Sequence, residues 1–270
     1  MIYSCLHEKT PIEKYAVAGH EIYVKRDDLF GTYPAPNLAK LRGARILLAN
    51  LKEQGIKKVG VYDTTVSKAG QGAAYVCKEL GLECLLGFPL LIGTQPAESK
   101  LIAEELGAKL YPLKAGRTAI TYYRFKKIVE AQEGYMLPLG LTCPETVEAL
   151  RCLSATIDGK FNSIVLVTGT GTIATGLALG TNAAVYGVSC GMSVIKQRKR
   201  INDLAYIYKL DNLRIDNLQL ISPKYGYYDA LDTSSCPFPT SPYYDMKAWE
   251  WLVENIEWLE EPVLFWNIGV

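Results

Sequence analysis

Short apolar runs that favour β-structure alternate with longer amphipathic stretches along most of this chain. Residues 59–62, 83–88, 109–112, 135–139, 163–168 and 184–189 read as strands, and 218–222 and 262–268 follow later. Between them, residues 97–106 and 118–132 repeat apolar positions at helical spacing. Alternation of the two kinds predicts parallel sheets joined by crossover helices. The run SIVLV, residues 163–167, is apolar throughout, as strands covered on both faces are. Residues 229–244 break the pattern, because proline and serine crowd together there and exclude a regular helix.

With 270 residues, there is room for one large domain or two modest ones sharing a core. The composition, 49% hydrophobic and 21% charged, is that of a folded globular protein. A formal net charge of +1 gives no overall field toward nucleic acid or a membrane surface. No apolar stretch is long enough to span a bilayer, and the opening MIYSCLHEKTPIEKY has none of the features of a secretory leader. The cysteines Cys5, Cys77, Cys84, Cys143, Cys152, Cys190 and Cys236 are odd in number, scattered and never paired as C-x-x-C. They predict reduced thiols in a cytoplasmic protein. His7 and His20 are the only histidines, so a metal site or a serine–histidine triad has little to draw on.

In open α/β sheets, ligands bind beyond the carboxyl ends of the strands. Three loops at such positions carry unusual chemistry. In VKRDDLFGTYPAPNLAKLRGA, residues 24–44, Pro34 and Pro36 exclude helix before a helical pattern runs over 38–51, with Lys40 in its first turn. A cation there opposes the helix dipole, which helps to keep an amine neutral and nucleophilic. On this segment alone, a solvated lysine at a helix start is the plainer reading. The second loop, DTTVSKAGQGAA at 63–74, offers hydroxyls and glycines between a strand and a helix, a weak nest for anions. The third, TGTGTIATG at 168–176, places glycines and threonines at a helix N-terminus, where a phosphate is well received. It lacks the lysine of a P-loop and the glycine spacing of a dinucleotide fingerprint, so a small phosphorylated cofactor fits it better than a nucleotide does. The basic run KQRKR, residues 196–200, lies in an expected helix and reads as a solvated face.

Taken in order, these elements resemble pyridoxal phosphate (PLP) enzymes of the tryptophan-synthase-β fold. They are most similar to the D-cysteine desulfhydrase and 1-aminocyclopropane-1-carboxylate (ACC) deaminase family. The resemblance rests on TPIEKY…EIYVKRDDL, KLRGARILLANLKEQG, SKAGQGAAYVCKELGL, TGTGTIATG, SPYYDMKAW and the closing VLFWNIG, which together span nearly the whole chain. It implies an α/β architecture of two domains, each an open, mainly parallel sheet flanked by helices. Residues 1–40 and 149–270 would form the larger domain and 41–148 the smaller. It implies Lys40 as the Schiff-base lysine and proton carrier. It implies Thr168, Gly169, Thr170, Gly171 and Thr172 as the phosphate cradle. Ser67 would lie by the substrate, Tyr244 and Tyr225 over the active site, and Asp245 by the ring nitrogen. The implied reaction is an α,β-elimination or deamination of a small amino acid by a homodimer, with no nucleic-acid or membrane partner.

This chain also departs from the family pattern. Asn37–Leu38–Ala39–Lys40 replaces G-G-N-K after a two-residue insertion. Lys68 stands where relatives carry an asparagine that bonds the cofactor's ring oxygen, so it either takes over that bond or brings a second amine to the aldehyde. Ile268 replaces a threonine or serine that faces the ring nitrogen, and the proline-rich break removes a helix between Tyr225 and Tyr244. Two further readings follow: β-replacement of the cysteine synthase type, or a non-catalytic protein that keeps the scaffold for binding.

Overall fold

A computed structural model of the chain describes residues 10–207 and 215–269, so Cys5 and His7 lie outside the described residues. One sheet has six strands in the order β1 (Ile12–Val17), β2 (His20–Arg26), β10 (Val263–Asn267), β7 (Ser163–Thr168), β8 (Ala184–Ser189) and β9 (Leu218–Ile221). Its strands pair in parallel except for the β1–β2 hairpin. The second sheet has four parallel strands in the order β5 (Lys109–Lys114), β4 (Glu83–Leu90), β3 (Lys58–Tyr62) and β6 (Tyr135–Met136).

The apolar character of β7 explains its central place. Ile164 and Leu166 pack into one cluster with Leu150 of α5 (Pro144–Ala155) and Leu177 of α6 (Thr172–Gly180). Val165 and Val167 enter another with Trp249 and Leu252 of α8 (Asp245–Asn255). The strand is buried along its whole length, as its unbroken apolar run requires. Each aliphatic side chain so buried contributes about 1.5–3 kcal/mol.

The remaining helices are α1 (Leu41–Glu53), α2 (Ala69–Leu80), α3 (Glu98–Glu105), α4 (Thr118–Glu130) and α7 (Val194–Ile207). Lys40 immediately precedes α1 and does not lie inside its first turn. The expected strand at 135–139 is shorter than its apolar run: it ends at Met136, since Pro138 has no N–H to extend the ladder. A tight turn over Leu139–Leu141 follows, with Gly140 at φ 65°. β1 and β2 are strands beyond those expected from the apolar runs. As expected, no helix occurs between residues 222 and 244. Among the described residues no helix is long and apolar enough to cross a membrane.

Candidate active site

A cleft of about 440 Å³ opens where all three loops meet, beyond the carboxyl ends of β3, β7 and β8. Lys40, Ser67, Lys68, Tyr244 and Asp245 line it, together with residues 168–172. Tertiary structure thus brings together residues more than two hundred positions apart in the chain.

Lys40 is fixed from both sides. Ala39 donates its N–H to the Ile268 carbonyl at 2.9 Å, and Leu38 bridges to Gly269, so the segment before Lys40 is tied to the end of β10. On the other side, Arg42 forms a buried ion pair with Asp27 at 2.6 Å and stacks over Phe30, 3.9 Å from the ring centroid. Asp27 also accepts from Trp266 Nε1 at 3.2 Å and from Thr10 Oγ1 at 3.0 Å. Arg42 and Asp27 are positioning residues that motif reading passed over. Lys40 Nζ donates to the Gly140 carbonyl at 2.7 Å and to Thr170 Oγ1 at 3.2 Å. Burial lowers its pKa to about 8, because the low-dielectric cleft disfavours the ammonium form.

The loop from β7 into α6 is shaped to receive an anion. Gly171 caps α6 at φ 87° without a side-chain cap, so the first N–H groups of the helix face the cleft unclaimed by any capping side chain. A Cβ on Gly171 would come within 2.5 Å of Ile201 Cγ1, a contact no other residue could tolerate unchanged. Thr170 and Thr172 share a hydroxyl bond at 2.9 Å, and Thr172 donates to Thr142 at 3.0 Å. Gln197 of α7 clamps the loop from behind, donating to the carbonyls of Thr168 at 2.8 Å and Gly169 at 3.1 Å.

The 63–69 loop is held by a second buried ion pair, Lys100–Asp63 at 2.8 Å. Asp63 also accepts the Gly70 N–H at 2.9 Å, and Lys100 donates to the Ser67 carbonyl at 2.6 Å. These bonds set the backbone that presents Ser67 and Lys68 to the cleft. Ser67 Oγ accepts from Ala69 N–H at 3.2 Å. Burial lowers the Lys68 pKa, with Glu98 opposing the shift.

Tyr244 and Tyr227 form the remaining wall. Their hydroxyls lie 2.6 Å apart, and Tyr227 reaches Thr64 Oγ1 at 3.1 Å, which links the two halves of the cleft. Burial pushes both phenol pKa values up, so both groups keep their protons. Tyr225 is not brought to the cleft, which corrects its expected place over the site. Its hydroxyl turns away to Glu250, while buried Lys247 holds the Gly226 carbonyl at 2.6 Å and swings Tyr227 inward. Asp245 is fully buried at the start of α8. Its Oδ1 accepts the Ile268 N–H at 2.9 Å, whereas Oδ2 is buried with no donor. Burial raises its pKa well above the usual carboxylate range. Among the described residues no group of acidic, histidine and cysteine side chains is arranged to hold a metal ion.

Comparison with known proteins agrees with this geometry. A family model described as pyridoxal-phosphate dependent enzyme matches residues 4–203. The chain is 35% identical over 279 residues to the glycyl-dTMP PLP-dependent decarboxylase of Pseudomonas phage M6, covering 96% of this chain and 98% of that one. It is 27% identical over 215 residues to D-cysteine desulfhydrase of Yersinia pestis (strain Pestoides F), covering 71% of this chain and 64% of the relative. The solved structure of an ACC deaminase homologue matches with a TM-score of 0.84 at 20% identity, over 99% of this chain and 94% of its own.

The cleft fits this cofactor. Lys40 offers an amine whose pKa of about 8 leaves far more of it neutral near neutrality than an ordinary lysine has, and residues 168–172 offer a cradle of backbone and hydroxyl donors for the phosphate. The orphaned Asp245 Oδ2 would be satisfied by a protonated ring nitrogen, the one donor its surroundings lack.

Proposed function

From the premise that this chain belongs to the pyridoxal-phosphate dependent enzymes, we propose that it decarboxylates an amino-acid group carried on a pyrimidine deoxynucleotide. The observation that carries this reading is the likeness to the glycyl-dTMP decarboxylase, which runs almost end to end through both chains. The likeness to the desulfhydrase is weaker and partial.

The side chains suit the chemistry. When bound, pyridoxal phosphate supplies the conjugated electron sink that makes bond breaking at Cα accessible. Asp245, whose buried Oδ2 lacks a donor, would pair with a protonated ring nitrogen and so favour the form of the cofactor that is the stronger sink. In decarboxylation the Cα–carboxylate bond breaks, CO₂ leaves, and the electron pair left at Cα must take up a proton. Lys40 Nζ is placed to carry that proton, since its pKa of about 8 allows it to hold and release one near neutral pH. The Tyr244 and Tyr227 hydroxyls, which keep their protons, orient the substrate and do not act as bases.

A second reading, α,β-elimination from a small amino acid, is favoured by Ser67 on the cleft wall and by the partial likeness to D-cysteine desulfhydrase. One assay separates the two. The cofactor-loaded enzyme is offered glycyl-dTMP, D- and L-cysteine and ACC, and CO₂, keto acid and ammonia are followed together with the nucleotide mass. Loss of CO₂ from the nucleotide, without keto acid from the small amino acids, supports decarboxylation. Keto acid and ammonia without CO₂ would replace it with elimination.

A further inference from the structure

The basic run 196–200 reads as a solvated face, and for Lys196 and Lys199 it is one, since both are exposed. Arg200 is exposed as well, but unlike them it lines the cleft. The reason is the docking of α7 on the 168–172 loop. Gln197 is buried against the loop carbonyls, and Ile201, one turn later on the same face, fills the space left by the missing side chain of Gly171. Arg200, between them in helical position, is carried to the edge of the cradle. Among the described residues it has neither a hydrogen bond nor an ion pair.

The electrostatics of the cradle leave a role open. A phosphate monoester is close to doubly charged at neutral pH. Residues 168–172 contain no charged side chain, and a helix N-terminus supplies only about half a positive charge. The carboxylates lining the cleft are Asp63, paired with Lys100, and Asp245, tied to Ile268. Of the cationic side chains there, Lys40 serves the aldehyde end and Lys68 comes from the other sheet at the start of α2. We propose that Arg200 completes the phosphate cradle, its guanidinium pairing with the cofactor's phosphate dianion from the α7 side. A guanidinium suits this task, because its fork of N–H donors matches two phosphate oxygens at once. This role rests on membership of the cofactor family and is independent of which Cα bond is broken.

The test needs no substrate. Cofactor-free protein is titrated with pyridoxal phosphate and, separately, with pyridoxal, which lacks the phosphate, for wild type, Arg200→Gln and Arg200→Lys. Arg200→Gln should weaken pyridoxal phosphate binding roughly tenfold to a hundredfold, the worth of a hydrogen bond to a charged group, with Arg200→Lys in between. Affinity for pyridoxal should be unchanged. Equal weakening of both ligands would mean a structural defect and would overturn the assignment. So would unchanged binding of both, and a raised KM for the nucleotide at saturating cofactor would then move Arg200 to the substrate's phosphate.

Discussion

Asp245 Oδ1 accepts the backbone N–H of Ile268 at 2.9 Å, so the acid is oriented by the main chain of the residue whose side chain departs from the family pattern. On the proposed reading, Asp245 would serve the ring nitrogen without a hydroxyl side chain at position 268. A backbone donor is indifferent to the side chain that follows it, which is why isoleucine is tolerated there.

This relationship predicts opposite effects of one substitution. In the cofactor-free protein, burial raises the Asp245 pKa, so the native state holds a proton that the unfolded chain releases. Stability therefore falls as pH rises from the unfolded carboxylate value, about 3.9, toward the raised native one. Asp245→Asn removes that penalty. Cofactor-free Asp245→Asn should melt above wild type at about pH 7, and the gap should close as pH falls toward about 4. The same variant should bind pyridoxal phosphate more weakly, because the ring nitrogen loses its anionic partner. Thermal melts across pH and a cofactor titration check both halves.

Lys40 should react as a neutral amine at unusually low pH. Burial lowers its pKa to about 8, so its share of nucleophilic amine rises through that pH, where an ordinary lysine, near 10.4, is still almost wholly protonated. Labelling of the cofactor-free protein with an amine-reactive reagent, followed by peptide mapping, should show Lys40 modified with a midpoint near pH 8 and surface lysines far later. With added pyridoxal phosphate, borohydride should fix the label on Lys40, and Lys40→Ala should abolish it. A label on Lys68 would reverse the roles of the two amines.

Legibility in the sequence followed burial. β7 and β8 coincide with their apolar runs, because strands covered on both faces need nothing else to announce them. The β1–β2 hairpin is interrupted by Glu13, Lys14, Glu21, Lys25 and Arg26, so its apolar signal is diluted. Lys40, Ser67, Asp245 and the 168–172 loop were legible through motifs in chain order. Arg42 and Lys100 were not, because each acts through a partner distant in sequence, Asp27 or Asp63. Tyr225 and Tyr227 are two residues apart in an irregular stretch, and local spacing cannot say which turns inward. That choice is made by Lys247, which grips the Gly226 carbonyl from α8.

The Lys100–Asp63 pair yields a stability prediction tied to the site. Both side chains are almost completely buried, so removing one partner strands a charge in low dielectric. Lys100→Met should cost about 3–5 kcal/mol. Removing both charges in Asp63→Asn/Lys100→Met should restore part of that loss. Because Lys100 also holds the Ser67 carbonyl, the single variant should raise KM even where it remains folded. Denaturant melts of the two variants beside wild type, with KM measured below the melting transition, check this.

The two tyrosines offer the sharpest local contrast. Tyr225 spends its hydroxyl on Glu250 in a solvent-facing cluster with Lys224, and such exposed polar networks carry little energy. Tyr225→Phe should therefore change turnover by no more than about twofold. Tyr227→Phe removes the hydroxyl that joins Tyr244 to Thr64 across the cleft. Losing it leaves the half-buried hydroxyls of Thr64 and Tyr244 short of a partner and frees Tyr244 to turn. If the loosened Tyr244 loses about 1–3 kcal/mol of transition-state binding, the size of a lost hydrogen bond, kcat/KM falls roughly tenfold to hundredfold. If Tyr244 orients the substrate, Tyr244→Phe should fall in the same range and the double variant should lose little more, because both substitutions break one chain of bonds. Kinetics of the four variants, read as a double-mutant cycle between positions 227 and 244 with Tyr225→Phe as the control, decide it. Additive losses at 227 and 244 would mean that the two hydroxyls act separately.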